Sequence, residues 1–322
     1  MIRRLLLALA GLALGGWCAA ALWFDGPSAR PVAGVLAAVV LALSLWLPQR
    51  SLRGLVAAGM LWAGVVMWWS SLAPSNARDW LPDVAHPPTA TFRGHLVTVH
   101  NVRNFTYRSE TDYTPHWETR TYDLDRIVGL DIFLSTWGSP YIAHTIMSWE
   151  FASGPPLAIS IETRKERGEQ YSAVRGFFRQ YELYYVVADE RDVIGLRAAH
   201  RGERVSLYRL AVPPEVARRL LVAYLGAADQ LAVHPRWYNA FTHNCTTTIR
   251  VHVLQIGIAQ PWDYRILVNG LLPEMFYERG LIDTELPLAE MLARSDVTER
   301  AKAADGAADF SARIREDLPP RP

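Results

Sequence analysis

Cys245 lies in a polar stretch of sequence that suits a reactive thiol. Residues 242–248 read THNCTTT, whereas a cysteine that packs as a small hydrophobe usually has apolar neighbours. Isoleucine and valine then follow at helical spacing up to Ile256, and Gly257 comes directly after them. This pattern predicts a helix of about three turns that begins near Cys245, with Asn244 or Thr242 as its N-cap.

A thiol in the first turn of a helix faces backbone N–H groups that have no partner and the positive end of the helix dipole. Both lower its pKa from the usual value of ~8.5. The same N–H groups can hold a developing oxyanion, and Asn244 is a candidate for substrate or oxyanion binding. We therefore interpret Cys245 as a nucleophile. A buried structural thiol and a metal ligand are the alternative interpretations.

A nucleophilic cysteine needs a base, and His144 is our candidate. His252 lies seven residues along the same helix, which places it about 10 Å up the axis and too far away to share a proton. His243 lies on the turn that enters the helix, and its direction is left open. His144 follows a Gly-Ser-Pro turn and opens a segment that reads as a strand. The alternative for His144 is a core histidine with its hydrogen bonds satisfied.

The strand expected next supplies a side chain that could orient His144. Residues 157–164 alternate between apolar and polar side chains after Gly154-Pro155-Pro156, which predicts a hairpin. Ser160, Glu162 and Arg164 share one face of this strand because side chains alternate with a period of two. Glu162 is the best candidate to accept the imidazole N–H. A solvated strand face is the alternative.

Three uncharged segments in residues 1–72 predict transmembrane helices at about residues 5–24, 31–47 and 55–72. The charged residues of this region are five arginines and one aspartate, and none of them lies inside these three segments. At ~1.5 Å per residue the first segment spans the ~30 Å hydrocarbon core. An alternative for the first segment is a cleaved signal peptide, which would still export the rest of the chain.

The arginines predict the topology of these helices. Arg3 and Arg4 precede the first helix and Arg50 and Arg53 lie between the second and third, which places the N-terminus in the cytoplasm. The chain after residue 72 then lies in the periplasm of a bacterial inner-membrane protein. Cys18 lies in a membrane helix and therefore cannot pair with Cys245.

The exported part carries 28 basic and 31 acidic side chains and no basic run, so nucleic acid is not an expected partner. No Cys-x-x-Cys, His-x-x-x-His or His-Glu-x-x-His spacing and no glycine-rich phosphate loop occurs. We expect no metal and no cofactor.

We divide the exported part into a linker at residues 73–90, a domain at residues 91–295 and a C-terminal tail at residues 296–322. Strands are predicted near 91–99, 131–137, 181–188 and 205–212, and a helix from Pro213 to about Leu231. We expect residues 189–192 to form a surface turn, and the tail to be a solvated helix with a frayed end.

Several segments of this chain resemble the Lnb N-terminal periplasmic domain family over most of residues 90–310. The similarity rests on residues 100–105, 107–113, 120–124, 143–145, 162–165, 189–192 and 244–247.

The resemblance implies an α+β domain with a permuted papain-like fold, similar to NlpC-type and lecithin:retinol acyltransferase-like proteins. In such a fold a strand carrying His144 precedes a helix carrying Cys245, and the helix packs on an antiparallel sheet. The resemblance also implies acyl transfer through a thioester on Cys245.

We therefore expect a membrane-anchored thiol acyltransferase or hydrolase with membrane lipids or lipoproteins as partners. A cell-wall amidase or peptidase acting on peptidoglycan, and a non-catalytic sensor or assembly module, are the alternatives.

Overall fold

The computed structural model describes all residues from 1 to 322, and they form two units. The helical unit comprises Met1–Ser75, Gln170–Glu182 and Arg236–Ala240. The sheet unit comprises Asn76–Glu169, Leu183–Pro235 and Phe241–Pro322. The helical unit therefore contains two short segments from beyond residue 72, where the sequence predicted that the membrane part ends.

Three long apolar helices, each long enough to cross a membrane, make up most of the helical unit. They are α1 (Ile2–Asp25), α2 (Arg30–Arg50) and α3 (Leu52–Ser71), with mean hydropathies of 2.1, 2.1 and 1.4. The three predicted spans are confirmed; each begins one to three residues earlier than expected, the first two end one to three residues later, and the third ends one residue earlier.

Small residues let α1 and α2 approach closely. A Cβ atom added to Gly15 would lie 2.3 Å from the Cβ of Ser44, and one added to Gly11 would lie 2.5 Å from the Ser44 carbonyl oxygen. The Ser44 hydroxyl bonds to the Val40 carbonyl at 2.7 Å and accepts from the Trp62 indole N–H at 2.8 Å. Glycines four residues apart are a common contact between membrane helices, where close van der Waals packing replaces the hydrophobic effect.

The sheet unit contains ten strands. They are β1 (Thr89–Arg93), β2 (Leu96–Arg103), β3 (Thr106–Tyr107), β4 (Tyr113–Thr114), β5 (Trp117–Asp123), β6 (Ile127–Thr136), β7 (Ala143–Phe151), β8 (Leu157–Arg164), β9 (Glu182–Ala188) and β10 (Arg204–Leu210).

The main sheet has the order β1-β2-β9-β8-β7-β6-β10, with β5 on β2. The β2–β9 contact is parallel, so the sheet is mixed and not antiparallel throughout as expected. The predicted hairpin is confirmed: β7 and β8 pair antiparallel with Ile146 opposite Ser160. The single strand predicted at residues 91–99 is wrong. A turn at Gly94, whose φ is +62°, divides that region into β1 and β2.

Seven helices accompany the sheet; the sequence predicted the positions of two of them, and the helix expected in the C-terminal tail corresponds to α9. α5 and α6 occur where the proline start and the Cys245 pattern placed them. The seven are α4 (Glu190–Gly195), α5 (Pro214–Val233), α6 (Cys245–Gln255), α7 (Leu272–Glu278), α8 (Leu288–Ser295), α9 (Thr298–Ala303) and α10 (Phe310–Arg313).

The hydrophobic core joins the middle of the sheet to the helices at the end of the chain. Phe133 and Ile146 of the sheet pack in one buried cluster with Phe310 of α10. Trp80 and Val84 belong to the same cluster. The interpretation of residues 73–90 as a linker is therefore wrong from residue 76 onward, because two large apolar side chains of this stretch are buried.

The acidic turn expected at residues 189–192 is not on the surface. Glu190 and Asp192 are fully buried at the start of α4. Arg103 contacts Asp192 at 2.7 Å, and Asp192 also accepts from the Phe105 N–H at 2.7 Å. A buried carboxylate is tolerated when it is paired and hydrogen-bonded.

The C-terminal tail is held in the sheet unit, so the prediction of a frayed end is wrong. The Arg315 guanidinium contacts Asp131 at 2.8 Å, Glu190 at 2.6 Å and Glu150 at 2.7 Å. Arg321 reaches Asp131 at 2.8 Å. Two arginines of the tail thus neutralise buried carboxylates of the sheet and of α4.

Replacing Arg315 by alanine should destabilise the sheet unit strongly. The change leaves Asp131 and Glu190 buried with one cation fewer, and breaking a buried ion pair costs about 3–5 kcal/mol. Arg313→Ala is the matched control, because the Arg313–Asp309 pair at 2.8 Å is about half exposed and such pairs contribute under about 1 kcal/mol. Urea unfolding of the full chain, followed by near-UV circular dichroism, measures both. Equal free energies of unfolding for the two variants would contradict this account of the tail.

Candidate functional site

Cys245 is the first residue of α6, as predicted, and a capping box fixes the start of that helix. The Asn244 side-chain oxygen accepts from the Thr247 N–H at 2.9 Å, and the Thr247 hydroxyl accepts from the Asn244 N–H at 3.0 Å. The N–H groups of Cys245 and Thr246 have no carbonyl partner within the helix, as in the first turn of any helix. The Asn244 oxygen thus caps the helix, which leaves those N–H groups next to the thiol.

His144 is the second residue of β7, and α6 packs against β7 and β8. Its Nε2 atom lies 2.6 Å from the Ser160 hydroxyl and 3.1 Å from the Glu162 carboxylate. The Ser160 hydroxyl donates to Glu162 at 2.7 Å, so it accepts from the Nε2–H of His144. With Nε2 engaged, Nδ1 is left for the hydrogen bond between His144 and Cys245. The structure brings together His144, Glu162 and Cys245.

Arg197 completes the charge arrangement and was missed from the sequence. Its guanidinium donates to Glu162 at 2.7 Å and to Glu203 at 3.1 Å, and its side chain is nearly fully buried. Glu203 also accepts from the hydroxyl of Ser135, the residue opposite His144 on β6. Arg197 lies in a π-helical turn at Leu196–His200, 35 residues after Glu162, and no sequence spacing links the two.

The charges around the site favour the ionised forms of Cys245 and His144. Burial raises the pKa of the Cys245 thiol, but the charge and hydrogen bond of His144, together with hydrogen bonds from Thr145, outweigh burial and lower that pKa to about 6. Burial lowers the pKa of His144 and is the largest single effect, but Glu162 and Cys245 together outweigh burial and the repulsion from Arg197, and the pKa rises to about 9. Burial alone would raise the pKa of Glu162, yet His144 and Arg197 hold it well below its usual range. A thiolate and an imidazolium therefore coexist between about pH 6 and pH 9.

Thr145 adds hydrogen bonds to the sulfur. Its hydroxyl and its backbone N–H both interact with the Cys245 thiol and lower the thiol pKa further. The Thr145 hydroxyl also lies 3.4 Å from the hydroxyl of Thr246. The residue next to the histidine therefore contacts both the cysteine and the residue after it.

Asn269 braces the strand of His144 against the helix of Cys245. Its side-chain oxygen accepts from the Ala143 N–H at 2.7 Å, and its amide nitrogen donates to the Ala143 carbonyl at 2.6 Å and to the Thr246 hydroxyl at 2.7 Å. Ala143 precedes His144, and Thr246 follows Cys245. The buried Asn269 thus holds the immediate neighbours of both residues in place.

Gly270, the residue after Asn269, lies where two segments of the chain approach each other closely. Its N–H donates to the Tyr141 carbonyl at 3.0 Å, and an added Cβ atom would lie 1.9 Å from the Pro140 carbonyl oxygen. Only glycine fits here without moving the loop that leads into β7. The Asn269-Gly270 dipeptide in the sequence is a turn signal but carries no indication of this role.

His252 is engaged away from the thiol. Its Nε2 atom lies 2.6 Å from the Tyr185 hydroxyl, and its Nδ1 atom lies 3.1 Å from the Gln255 side-chain oxygen. Burial lowers the pKa of His252 to about 4, so the ring is neutral at physiological pH. No group of three or more histidine, cysteine, aspartate or glutamate side chains could hold a metal ion.

Residues 113–270 match the family model of the Lnb N-terminal periplasmic domain. This match confirms the predicted resemblance for this part of the chain, although the matched range is shorter than the expected 90–310. His144, Glu162, Arg197, Cys245 and Asn269 all fall inside it. No curated protein and no solved structure matches the chain. Together with the three apolar helices, the match defines a membrane-anchored protein with a periplasmic domain.

Glu162→Gln should narrow the pH range in which the thiolate and imidazolium coexist. Glu162 raises the pKa of His144, so its neutralisation lets that pKa fall from about 9. A less charged His144 stabilises the thiolate less, so the pKa of Cys245 should rise from about 6. The pKa of His144 should therefore fall and the pKa of Cys245 should rise, each by about one unit, since a neighbouring opposite charge shifts a pKa by about 1–3 units.

The pH dependence of thiol alkylation measures the pKa of Cys245, and NMR titration of the imidazole measures the pKa of His144. Glu166→Gln is the control, because Glu166 pairs with the partly exposed Arg78. Unchanged titration of both groups in Glu162→Gln would rule out a coupling between Glu162 and the pair.

Asn269→Ala should raise the pKa of Cys245 while the domain stays folded. The change leaves the Ala143 N–H and C=O buried without the Asn269 partner, at a cost of about 1–3 kcal/mol. It also removes the hydrogen bonds through which Asn269 joins β7 to α6. Asn104→Ala is the matched control, because Asn104 bonds to Glu118 at 2.7 Å and Arg191 at 2.6 Å and touches none of the site residues. Alkylation against pH distinguishes the two variants. A stability loss in Asn269→Ala with an unaltered thiol pKa would assign this residue to the fold alone.

Proposed function

We propose that this periplasmic domain is a Cys–His thiol acyltransferase or hydrolase that works through an acyl-thioester on Cys245. The observation that carries the proposal is the cysteine at the start of α6, whose pKa is lowered to about 6 by His144. Catalytic thiolates typically occur beside a histidine and at a helix N-terminus.

The first step would transfer the acyl group to the enzyme. The Cys245 thiolate attacks the carbonyl carbon of an ester or amide, a C–S bond forms, and the carbonyl electrons move to the oxygen. The N–H groups of Cys245 and Thr246 are available to that oxyanion. As the intermediate collapses, the C–O or C–N bond breaks, and the His144 imidazolium gives its Nδ1 proton to the departing alcohol or amine.

The second step would release the acyl group. Neutral His144 accepts a proton from an incoming amine or water, which attacks the thioester carbon. The C–S bond then breaks, and Cys245 leaves as the thiolate that began the cycle. Glu162 and Arg197 take no part in bond changes, but they hold the imidazole and set its charge in each state.

The chain order of the two residues supports a permuted papain-like arrangement. The strand with His144 precedes the helix with Cys245, and that helix packs against β7 and β8. This is the order that the resemblance to the Lnb, NlpC-type and lecithin:retinol acyltransferase-like groups implies.

Apolar side chains on the loops that lead to the site favour a lipid or lipoprotein substrate. Tyr141 and Ile142 are exposed directly before β7, and Phe241 is exposed four residues before Cys245. Trp262 and Tyr264 are exposed on the loop that leads to Asn269. Exposed apolar side chains on loops next to a site are typical of binding surfaces for apolar ligands. The membrane helices keep the enzyme at the layer that holds acyl donors.

His144→Ala tests the pair directly. In full-length chain carrying Cys18→Ala, Cys245 is the one remaining thiol, and its alkylation rate should follow a pKa of about 6. Loss of His144 should return that pKa to at least the ordinary ~8.5, which lowers the thiolate fraction and the alkylation rate at pH 7 roughly thirty-fold. A slow thiol with an ordinary pKa in the parent chain would refute a catalytic pair and favour a sensor or assembly module.

Mass spectrometry of chain purified from membranes tests the acyl-thioester. Cys245 should carry an acyl mass that neutral hydroxylamine removes, and Cys245→Ala should carry none. Deletion of the protein should then change the N-terminal mass of lipoproteins. Altered muropeptides with unchanged lipoproteins would favour the cell-wall amidase or peptidase instead.

A further inference from the structure

Residues 170–181, the interfacial segment, pack on the ends of the membrane helices within the helical unit. The Arg179 N–H donates to the Asp25 carboxylate at 3.1 Å, and the Gln180 side chain donates to the same carboxylate at 2.7 Å. Asp25 is the last residue of α1 and also accepts from the Trp69 indole N–H of α3 at 2.7 Å. One carboxylate therefore links the segment to two membrane helices.

Ring contacts and carbonyl bonds strengthen this attachment. Phe178 stacks on Phe24 with ring centroids 4.8 Å apart, and the Arg179 guanidinium lies 4.3 Å from the ring centre of Trp69. Arg179 also donates to the carbonyl of Leu72, the residue directly after α3. The attachment therefore involves the backbone and the side chains of residues 178–180.

These attachment points define the depth of the segment in the membrane. Asp25 is the first charged residue after the apolar run of α1, and Trp68 and Trp69 lie near the end of α3. Tryptophan and the first charges beyond a span mark the boundary between hydrocarbon and headgroups. Side chains fixed to this boundary lie at the level of the lipid interface on the periplasmic side.

The exposed side chains of the segment have the composition of a surface that contacts lipid. Tyr171, Val174 and Phe177 are 48%, 58% and 46% exposed. Residues 170–181 contain no acidic side chain, but they contain Arg175. Apolar side chains flanked by arginine match a layer whose lipid tails lie below negatively charged phosphates.

We propose that the interfacial segment inserts Val174 and Phe177 into the periplasmic leaflet of the membrane, with Arg175 facing anionic lipid phosphates. The bilayer is the occupant because the segment is bonded to helices that already lie in it. This makes residues 170–181 a fourth membrane contact of the chain, peripheral and not spanning. The proposal does not depend on the chemistry of Cys245.

Environment-sensitive labels test the insertion in the full chain. Val174→Cys and Phe177→Cys are made in a Cys18→Ala, Cys245→Ala background, labelled with a nitrobenzoxadiazole maleimide and placed in nanodiscs of phosphatidylethanolamine and phosphatidylglycerol. Both labels should emit at shorter wavelength than in water and be quenched at least two-fold by lipids with a nitroxide near the headgroup. Val128→Cys is the matched control, because this valine is 48% exposed on β6 of the sheet unit.

Aqueous iodide should quench the label at residue 128 but spare those at residues 174 and 177. If all three labels respond alike to iodide and to nitroxide lipid, the proposal is overturned. The unmodified chain provides a second test that does not depend on how the variants fold. A photoactivated diazirine phospholipid should label tryptic peptides within residues 168–179, and labelling confined to the three membrane helices would overturn the proposal.

Discussion

The electrostatic coupling of Cys245, His144 and Glu162 is the interaction on which the candidate site depends. Cys245 and His144 lie in a poorly solvated site, where burial by itself would favour the neutral thiol and the neutral imidazole. Arg197 contacts both Glu162 and Glu203, and Glu162 lies next to His144. The negative charge of Glu162 stabilises the imidazolium, and the imidazolium in turn stabilises the thiolate. The same carboxylate that raises the pKa of His144 therefore lowers that of Cys245.

Such coupling requires fixed distances between Cys245, His144 and Glu162, and the fold sets these distances through segments that are far apart in the sequence. The pairing of β7 with β8 puts Ser160 and Glu162 beside His144, and the capping box of Asn244 and Thr247 fixes where α6 begins. Asn269 then joins the strand to the helix through the residues next to the pair. Polar contacts to the neighbouring residues thus set the geometry of Cys245 and His144.

The sequence predicts the parts of this site whose determinants are local. The N-cap and the apolar spacing locate Cys245 on α6, and the alternation of residues 157–164 places Glu162 on the face of β8 that His144 meets. Arg197 and Asn269 escape prediction because their partners lie 35 and 126 residues away and ordinary loop residues carry no periodic signal. The buried acids Glu190 and Asp192 were misread for a related reason, since the arginines that neutralise them are distant in sequence.

The balance of charge at the site bears on whether the domain performs chemistry or only binds. Buried charged groups are costly to desolvate, and apolar replacements of similar volume are often as stable or more so. A module that serves only as a scaffold gains no stability from an imidazolium, a thiolate, two carboxylates and a guanidinium in one poorly solvated site. An enzyme gains a nucleophile that is ionised at neutral pH and a proton donor a hydrogen bond away. Catalytic sites typically carry such a cost in stability for the sake of reactivity, so the electrostatics of this domain favour the enzymatic interpretation over the structural one.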